Sequence, residues 1–165
     1  MDAKNIYNDI DFMSIAKNIL SNKEFKKTKK IIHHGTTRYD HSLKVAYLSY
    51  KLSKIIGGDT KSIIEAGILH DFFLDTYNKN IIDETKMFLK HPSIAKQNAM
   101  NYFNINEKEG NIIEAHMFPL SITIPKYKEA WIVSVADKII TVREKTEKLT
   151  LWLGIWMIFI MNYKR

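Results

Sequence analysis

Residues 61–71 read KSIIEAGILHD, and this stretch decides the fold prediction. Its apolar residues follow helical spacing, and it ends on the adjacent pair His70 and Asp71. The two glycines at 57–58 end the preceding apolar segment, as glycine commonly does after a helix. We therefore predict a short apolar helix over residues 60–71 that ends in an imidazole and a carboxylate.

Helical periodicity continues on both sides of this segment. Apolar spacing predicts further helices over residues 9–21, 39–56, 81–89, 92–103, 106–117 and 127–148. We place a helix start at His91-Pro92, because proline suits the first position of a helix. The sequence shows no convincing set of strands, internal repeat or low-complexity linker. The pattern thus predicts an all-α fold, a compact single-domain helical bundle.

Length and composition limit the class of protein. The chain has 165 residues, of which 45% are hydrophobic and 26% charged, and this suits one globular domain. It has no cysteine, which excludes thiolate chemistry, zinc ribbons and iron–sulfur clusters. The first residues, MDAKNIYNDIDF, lack the basic and apolar regions of a secretory signal, so we expect a cytoplasmic protein.

The net charge of +7 raises the question of a polyanionic partner. Only three of the 25 basic residues are arginines, whereas nucleic-acid surfaces rely on arginine forks and aromatic stacking. The densest basic cluster consists of Lys23, Lys26, Lys27, Lys29 and Lys30. It is either a solvated face or a surface that steers anions, and we expect no specific nucleic-acid partner.

The titratable residues suggest a site. The chain contains six histidines, and Asp137 lies in the apolar stretch WIVSVADKII. An unpaired carboxylate in apolar surroundings costs several kcal/mol. The partner of Asp137 is therefore either a metal cation or a basic side chain from another helix.

Three elements of the sequence form an ordered motif. They are His41 in RYDHSLKVAYLSYKL, the doublet His70-Asp71 in AGILHD, and Asp137 in VSVADKI. In this H…HD…D order the chain resembles the HD-domain proteins, a superfamily of metal-dependent phosphohydrolases, over about residues 33–147. The resemblance implies an all-α fold of the HD-domain type.

Two more histidines, His91 and His116, lie between the doublet and the last aspartate. The full order H…HD…H…H…D resembles the subset of the superfamily that holds two metals. In that subset one metal would be held by His41, His70, Asp71 and Asp137, and the second by Asp71, His91 and His116. Asp71 would then bridge the metals. In the alternative, His91 caps a helix and His116 lies on the surface, which leaves a mononuclear site.

The implied ligand set restricts the metals and the reaction. Four imidazoles and two carboxylates suit divalent transition metals, Fe or Mn first, with Co, Ni and Zn also compatible. A hydroxide between the metals would be the nucleophile, and the cations would neutralise charge on a phosphoryl group. Asp71 and Arg38 are the predicted catalytic residues.

Residues near the motif are candidates for binding a small phosphorylated substrate. Arg38 precedes His41 by three positions and could hold a phosphate bidentately. His34 and Lys96 are further candidates, and Lys138 is a weaker one because it points about 100° away from Asp137 on a helix. The alternative for each is a solvated charge or a loop residue.

The function that follows is a metal-dependent phosphohydrolase that cleaves a phosphate ester of a nucleotide or another small metabolite. Two alternatives stay open. One is a diiron oxygenase, since some dinuclear HD proteins that resemble this ligand order use a diiron pair with O₂, and the other is a non-catalytic sensor that binds metal or nucleotide. The doublet is not followed by the GYP signature of HD-GYP proteins, so the resemblance does not support a cyclic-dinucleotide phosphodiesterase of that kind. Better-known relatives continue the doublet with Ile-Gly, where this chain has Phe72-Phe73. These two rings either shape the substrate pocket or pack in the core.

The predicted organisation has three parts. They are an N-terminal helical extension over residues 1–32, the HD domain over 33–147, and an apolar C-terminal helix or tail over 148–165. Residues 149–161 carry no charge, but a helix of 13 residues spans about 20 Å and a bilayer core about 30 Å. We expect this segment to pack on the domain or on a second copy in a homodimer. A shallow membrane contact or partial disorder are the alternatives.

Overall fold

The computed structural model of the chain describes residues 3–33, 35–74 and 81–163. Within these ranges it describes all side chains except those of residues 3, 33, 81–86, 88, 148 and 151–163. The helices are α1 (Ala3–Tyr7), α2 (Ile10–Ser21), α3 (Lys23–Lys26), α4 (Arg38–Ile56), α5 (Thr60–Leu69), α6 (Ile81–Tyr102), α7 (Glu107–Ala115) and α8 (Lys128–Tyr163). The prediction of an all-α fold is confirmed.

A minimal hairpin precedes α4. The two-residue strands β1 (Ile32–His33) and β2 (Thr36–Thr37) pair antiparallel, with Ile32 opposite Thr37. A 3-10 turn over Lys27–Lys30 leads into it. Sequence patterning did not indicate these strands, since two residues are too few to show alternation.

Helix α4 packs most extensively against α5 and α8. Its approach to α5 depends on Gly67, where an added Cβ atom would lie only 3.0 Å from the Cα atom of Ala46. The N-terminal helices join the same core, since the ring centroids of Phe12 and Tyr47 are 5.2 Å apart. The predicted division of the chain into three parts stays a prediction.

Side-chain caps fix the starts of the helices that matter for the site. Thr37 accepts a hydrogen bond from the Asp40 N–H at the start of α4, and Asp59 accepts one from the Ser62 N–H in α5. Asn106 forms a capping box with Glu109 at the start of α7. These caps satisfy backbone donors that a helix otherwise leaves unpaired, and so define where each helix begins.

The helix start predicted at His91-Pro92 is wrong. Helix α6 runs without a break through Pro92, so the two helices predicted over residues 81–89 and 92–103 are one. Pro92 cannot donate a hydrogen bond within the helix. Helical geometry is kept because His91, Pro92, Ala95 and Ala99 lie on one face and are all buried.

The last helix is longer than predicted. Helix α8 continues past residue 148, the predicted end of this helix, as far as Tyr163. Among the described residues, no helix combines the length and the apolar character needed to cross a membrane. The side chains of residues 151–161 lie outside the described part of the structure, so the predicted packing of the segment over residues 149–161 remains a prediction.

Candidate metal centre

Five helices bring the six predicted metal ligands together. His41 lies in α4, His70 and Asp71 directly follow α5, His91 lies in α6, His116 directly follows α7, and Asp137 lies in α8. Each of these residues is buried, with an exposed fraction between 0% and 8%. Residues spread over almost a hundred positions of the sequence thus form one buried cluster.

The first group of ligands surrounds Asp137. The Nε2 atom of His41 is 3.1 Å from Asp137 Oδ1, and the Nε2 atom of His70 is 3.7 Å from the same oxygen. His70 Nε2 also lies 3.8 Å from Asp71 Oδ2. One ligand atom from each of His41, His70 and Asp71 falls within 4.8 Å of the others, which is close enough to share a metal ion.

The second group faces the other oxygen of Asp71. The Nε2 atoms of His91 and His116 are 3.1 Å apart, and they lie 3.3 and 3.8 Å from Asp71 Oδ1. One ligand atom from each of Asp71, His91 and His116 also lies within 4.8 Å of the other two, which is close enough to share a metal ion. The two oxygens of Asp71 therefore face two separate ligand groups, as a bridging carboxylate does.

Two of the imidazoles are oriented by the backbone. His70 Nδ1 is 2.8 Å from the Gly67 carbonyl oxygen, and His116 Nδ1 is 2.7 Å from that of Ile113. A carbonyl only accepts, so each Nδ1 donates its hydrogen, and in the neutral ring Nε2 is then the nitrogen with the lone pair. His70 Nε2 is buried and has no hydrogen-bond partner within the described part of the chain. A buried nitrogen lone pair beside two carboxylates fits a divalent transition metal.

The electrostatics of the cluster agree with this donor set. Burial, together with the neighbouring His70 and His91, lowers the pKa of His116 to about 3. His116 is therefore neutral at pH 7, which is the form of imidazole that binds metals.

Asp137 and His41 shift each other's pKa in opposite directions. Burial alone would raise the pKa of Asp137, but the hydrogen bond from His41 and the nearby His70 and His116 hold it well below the usual range. Burial alone would lower the pKa of His41, but hydrogen bonds to Asp137 and Glu144 raise it to about 10. The carboxylates thus favour a positive charge at this point of the cluster.

The structure also shows supporting residues that the sequence analysis missed. Glu144 Oε2 accepts a hydrogen bond from His41 Nδ1 at 2.9 Å, and Glu144 lies seven residues after Asp137 on the same helix. The sequence does contain a signal for Glu144, because a carboxylate seven residues after Asp137 lies about two turns along the same face of a helix. Ser134 Oγ donates to the His116 carbonyl at 2.8 Å, as does Lys138 Nζ at 3.1 Å. Lys138, which the sequence analysis considered only as a weaker substrate-binding candidate, thus contacts the backbone of the candidate ligand His116.

The predicted substrate-binding residues lie around the cluster. Arg38 is fully buried, its Nη1 atom donates to the Phe73 carbonyl, and its guanidinium carbon lies 3.5 Å from the Phe73 ring centroid. The same ring also neighbours His91, with ring centroids 5.2 Å apart. Lys96 donates to Glu114 Oε2 at 2.6 Å, and His34 lies outside the described residues. The substrate-binding roles of these residues stay predictions.

The two phenylalanines after the doublet both pack in the protein interior. Phe72 is fully buried, and its ring centroid lies 5.6 Å from that of Phe25 and 5.8 Å from that of Phe103. Phe73 is also buried, and its ring neighbours both Arg38 and His91. Phe73 thus neighbours the candidate ligand His91, whereas Phe72 packs against aromatic rings outside the cluster.

Comparison with protein families decides the assignment. The family model described as "HD domain" matches residues 38–141, which include all six candidate ligands. The chain belongs to the HD domain family. HD domains bind divalent metals and hydrolyse phosphate compounds, so the match and the buried histidine–aspartate groups together support a metal-dependent phosphohydrolase.

One curated relative is similar over a short stretch. It is the "Bis(5'-nucleosyl)-tetraphosphatase, symmetrical" of Staphylococcus aureus (strain NCTC 8325 / PS 47), which is 54% identical over 35 residues. That stretch covers 21% of this chain and 18% of the relative, so the chain matches less than a fifth of the relative's length. No solved structure matches the chain significantly.

Proposed function

We propose that this HD domain protein hydrolyses a phosphate bond of a nucleotide at a centre of two divalent transition metals. The observation that carries the proposal is the position of Asp71, whose two oxygens face two separate imidazole groups. A carboxylate with both oxygens engaged in this way is suited to holding two cations close together. When bound, the cations supply an activated water near neutral pH and neutralise phosphoryl charge.

We assign the ligands as the geometry groups them. His41, His70, Asp71 and Asp137 would hold the first metal, and Asp71, His91 and His116 the second. The first set contributes two carboxylates and the second set shares one of them, so we expect the first metal to bind more tightly. Fe and Mn are the preferred metals for this mixture of imidazole and carboxylate ligands, with Co, Ni and Zn as alternatives.

We infer the substrate class from chemistry and from the short similarity. A cluster rich in imidazole, on a chain with a net charge of +7, suits a polyphosphate anion. The similar stretch of 35 residues belongs to a protein named for symmetrical cleavage of bis(5'-nucleosyl) tetraphosphates. We therefore propose a dinucleoside tetraphosphate as the substrate to test first, with release of two nucleoside diphosphates.

The test combines metal analysis with a product assay. The protein is purified without oxygen, its metals are counted per chain, and samples loaded with Fe²⁺ or Mn²⁺ are incubated with bis(5'-adenosyl) tetraphosphate. We expect about two metals per chain and ADP as the product on ion-exchange chromatography. Asp71→Asn should lose both metals and the activity, whereas Lys96→Met, whose ammonium contacts Glu114 outside the cluster, should keep both metals.

Each outcome has a clear meaning. Hydrolysis of other nucleotides, but not of the tetraphosphate, would keep the phosphohydrolase and reject the substrate class. If the protein bound two metals per chain but neither the Fe²⁺-loaded nor the Mn²⁺-loaded sample hydrolysed any nucleotide, the proposed function would be wrong. Oxygen uptake by the Fe²⁺ form would then direct attention to oxygenase chemistry.

A further inference from the structure

His41 differs from two other ligands in the group that fixes its ring. His70 and His116 donate their Nδ1 hydrogens to backbone carbonyls, which no substitution of a side chain removes. His41 Nδ1 lies 2.9 Å from the side-chain oxygen Oε2 of Glu144. The orientation of this one ring therefore depends on a residue that can be exchanged.

Glu144 is held firmly in its position. It is 7% exposed, and its second oxygen accepts a hydrogen bond from Lys44 Nζ at 2.8 Å. Lys44 lies on α4 one turn after His41, while Glu144 lies on α8. The carboxylate thus joins two points of α4 to one point of α8.

Two carboxylates of α8, those of Asp137 and Glu144, contact the two nitrogens of the His41 ring. Asp137 Oδ1 faces Nε2 at 3.1 Å, and Glu144 Oε2 faces Nδ1 at 2.9 Å. Because Asp137 and Glu144 are seven residues apart on one helix, their side chains project from the same face. A carboxylate that accepts from the outer nitrogen fixes the ring's tautomer and raises the basicity of the inner nitrogen.

We propose that Glu144 is the positioning residue of the first metal site, and that it directs His41 Nε2 toward the metal by accepting the Nδ1 hydrogen. This proposal rests on the proposed function, since it assigns His41 as a ligand. Partners of this kind typically contribute 10- to 100-fold to metal affinity. We therefore expect Glu144 to influence the affinity of the first metal and to leave the group around His91 unaffected.

The test measures metal affinity on the full chain with Zn²⁺, a diamagnetic probe. Affinities come from competition with a chromophoric chelator. Glu144→Leu should weaken the tighter Zn²⁺ equivalent about 10- to 100-fold and leave the weaker one unchanged. Glu144→Gln keeps an acceptor oxygen, so its loss should be less than tenfold. Lys44→Met should cost less still, because it leaves the bond between Glu144 and His41 intact.

The matched control is Glu147→Leu. Glu147 lies three residues further along α8, and its ion pair with Arg143, at 2.7 Å, is exposed to solvent. The same substitution there removes a carboxylate from the same helix without touching the cluster. Its Zn²⁺ affinities should stay within twofold of those of the original protein. Circular dichroism and thermal unfolding confirm that each variant is folded.

A spectroscopic readout makes the test independent of any variant. In the Zn²⁺-loaded original protein, NMR of the histidine side chains should show His41 with hydrogen on Nδ1 and metal on Nε2, and the Nδ1 hydrogen should exchange slowly. Metal on Nδ1, or an unchanged tight affinity in folded Glu144→Leu, would overturn the positioning role while the metal centre stands. Failure of the original protein to bind any Zn²⁺, Mn²⁺ or Fe²⁺ would overturn the proposed function itself.

Discussion

The close contact between α4 and α5 gives a prediction about Gly67. A Cβ atom at this position would lie 3.0 Å from the Cα atom of Ala46 and 3.2 Å from its Cβ atom. Apolar carbons pack best at about 3.5–4.0 Å, so Gly67→Ala forces the two helices apart by a few tenths of an ångström. The nearest atom is backbone, and no change of rotamer relieves the contact.

The expected cost follows from two opposing effects. Overpacking of a tight interface costs about 1–3 kcal/mol, whereas alanine in place of glycine inside a helix contributes about 0.8–1.0 kcal/mol in its favour. The net expectation is a loss of about 1 kcal/mol. For a chain of this length, that loss lowers the unfolding temperature by roughly 2–4 °C.

The metal centre should respond more strongly than the stability does. Gly67 precedes His70 by three residues and provides the carbonyl that orients its ring. Asp71 belongs to both groups of candidate ligands, so a movement of α5 would displace a member of each group. Since metal–ligand distances tolerate only about 0.2 Å, we expect the affinity for Mn²⁺ to fall about tenfold or more.

Gly110→Ala is the matched control. It is a helical glycine of α7, but its added Cβ atom would meet only the flexible end of the Lys96 side chain, at 3.3 Å. We expect this variant to be as stable as the original protein or up to about 1 kcal/mol more stable. Thermal unfolding and Mn²⁺ titration compare the two variants. If Gly67→Ala behaved like Gly110→Ala in both measurements, the close approach of α4 and α5 would not position the ligands.

Three further substitutions test other parts of the structure. His116→Ala should leave about one metal per chain by elemental analysis, because it removes a ligand of the second group alone; two retained metals would exclude the dinuclear assignment. Burial, together with the neighbouring Glu109, raises the pKa of Glu65 from 4.5 to about 7. Between these two pH values, Glu65 is protonated in the folded protein and ionised in the unfolded chain. This contribution to stability is complete below pH 4.5 and lost as the pH rises through 7, so Glu65→Gln should gain stability relative to the original protein from pH 5 to pH 8 in urea unfolding. Solvent screening of the half-buried side chain keeps that gain to about 1 kcal/mol. Lys138→Met should lower stability by about 0.5–1.5 kcal/mol in the same assay, since it removes one of two donors to the His116 carbonyl.

Much of the fold could be predicted because its helices are amphipathic and end at recognisable residues. Helix α5 begins after Asp59 and ends at Leu69, close to the predicted range of 60–71. The error at Pro92 has a physical cause, since the local preference of proline for a helix start is outweighed by burial of one continuous face of α6. The sequence pattern reports the local preference of each residue, whereas burial in the core decides which of these preferences the folded chain adopts.

The candidate ligands could be predicted for a different reason. Imidazole and carboxylate groups in apolar helices need a partner, and the order of such residues along the chain is visible without a structure. Arg38 shows where this reasoning ends. Its position three residues before His41 predicts a phosphate ligand, and that role stays a prediction. The sequence did not indicate that its buried guanidinium lies against the Phe73 ring. Spacing along a helix gives the face of a residue, but it does not say which residue covers that face.

The supporting residues of the cluster are the hardest to foresee, because their identity depends on how helices cross. Glu144 lies 103 positions from His41 in the sequence, and only the packing of α8 on α4 brings the two together. The same packing brings Ser134 and Lys138 to the His116 carbonyl at the end of α7. One face of α8 thus contacts candidate ligands on two other elements and also contributes Asp137. A change in the crossing of α8 would therefore disturb both ligand groups at once, even though most of its residues are not ligands.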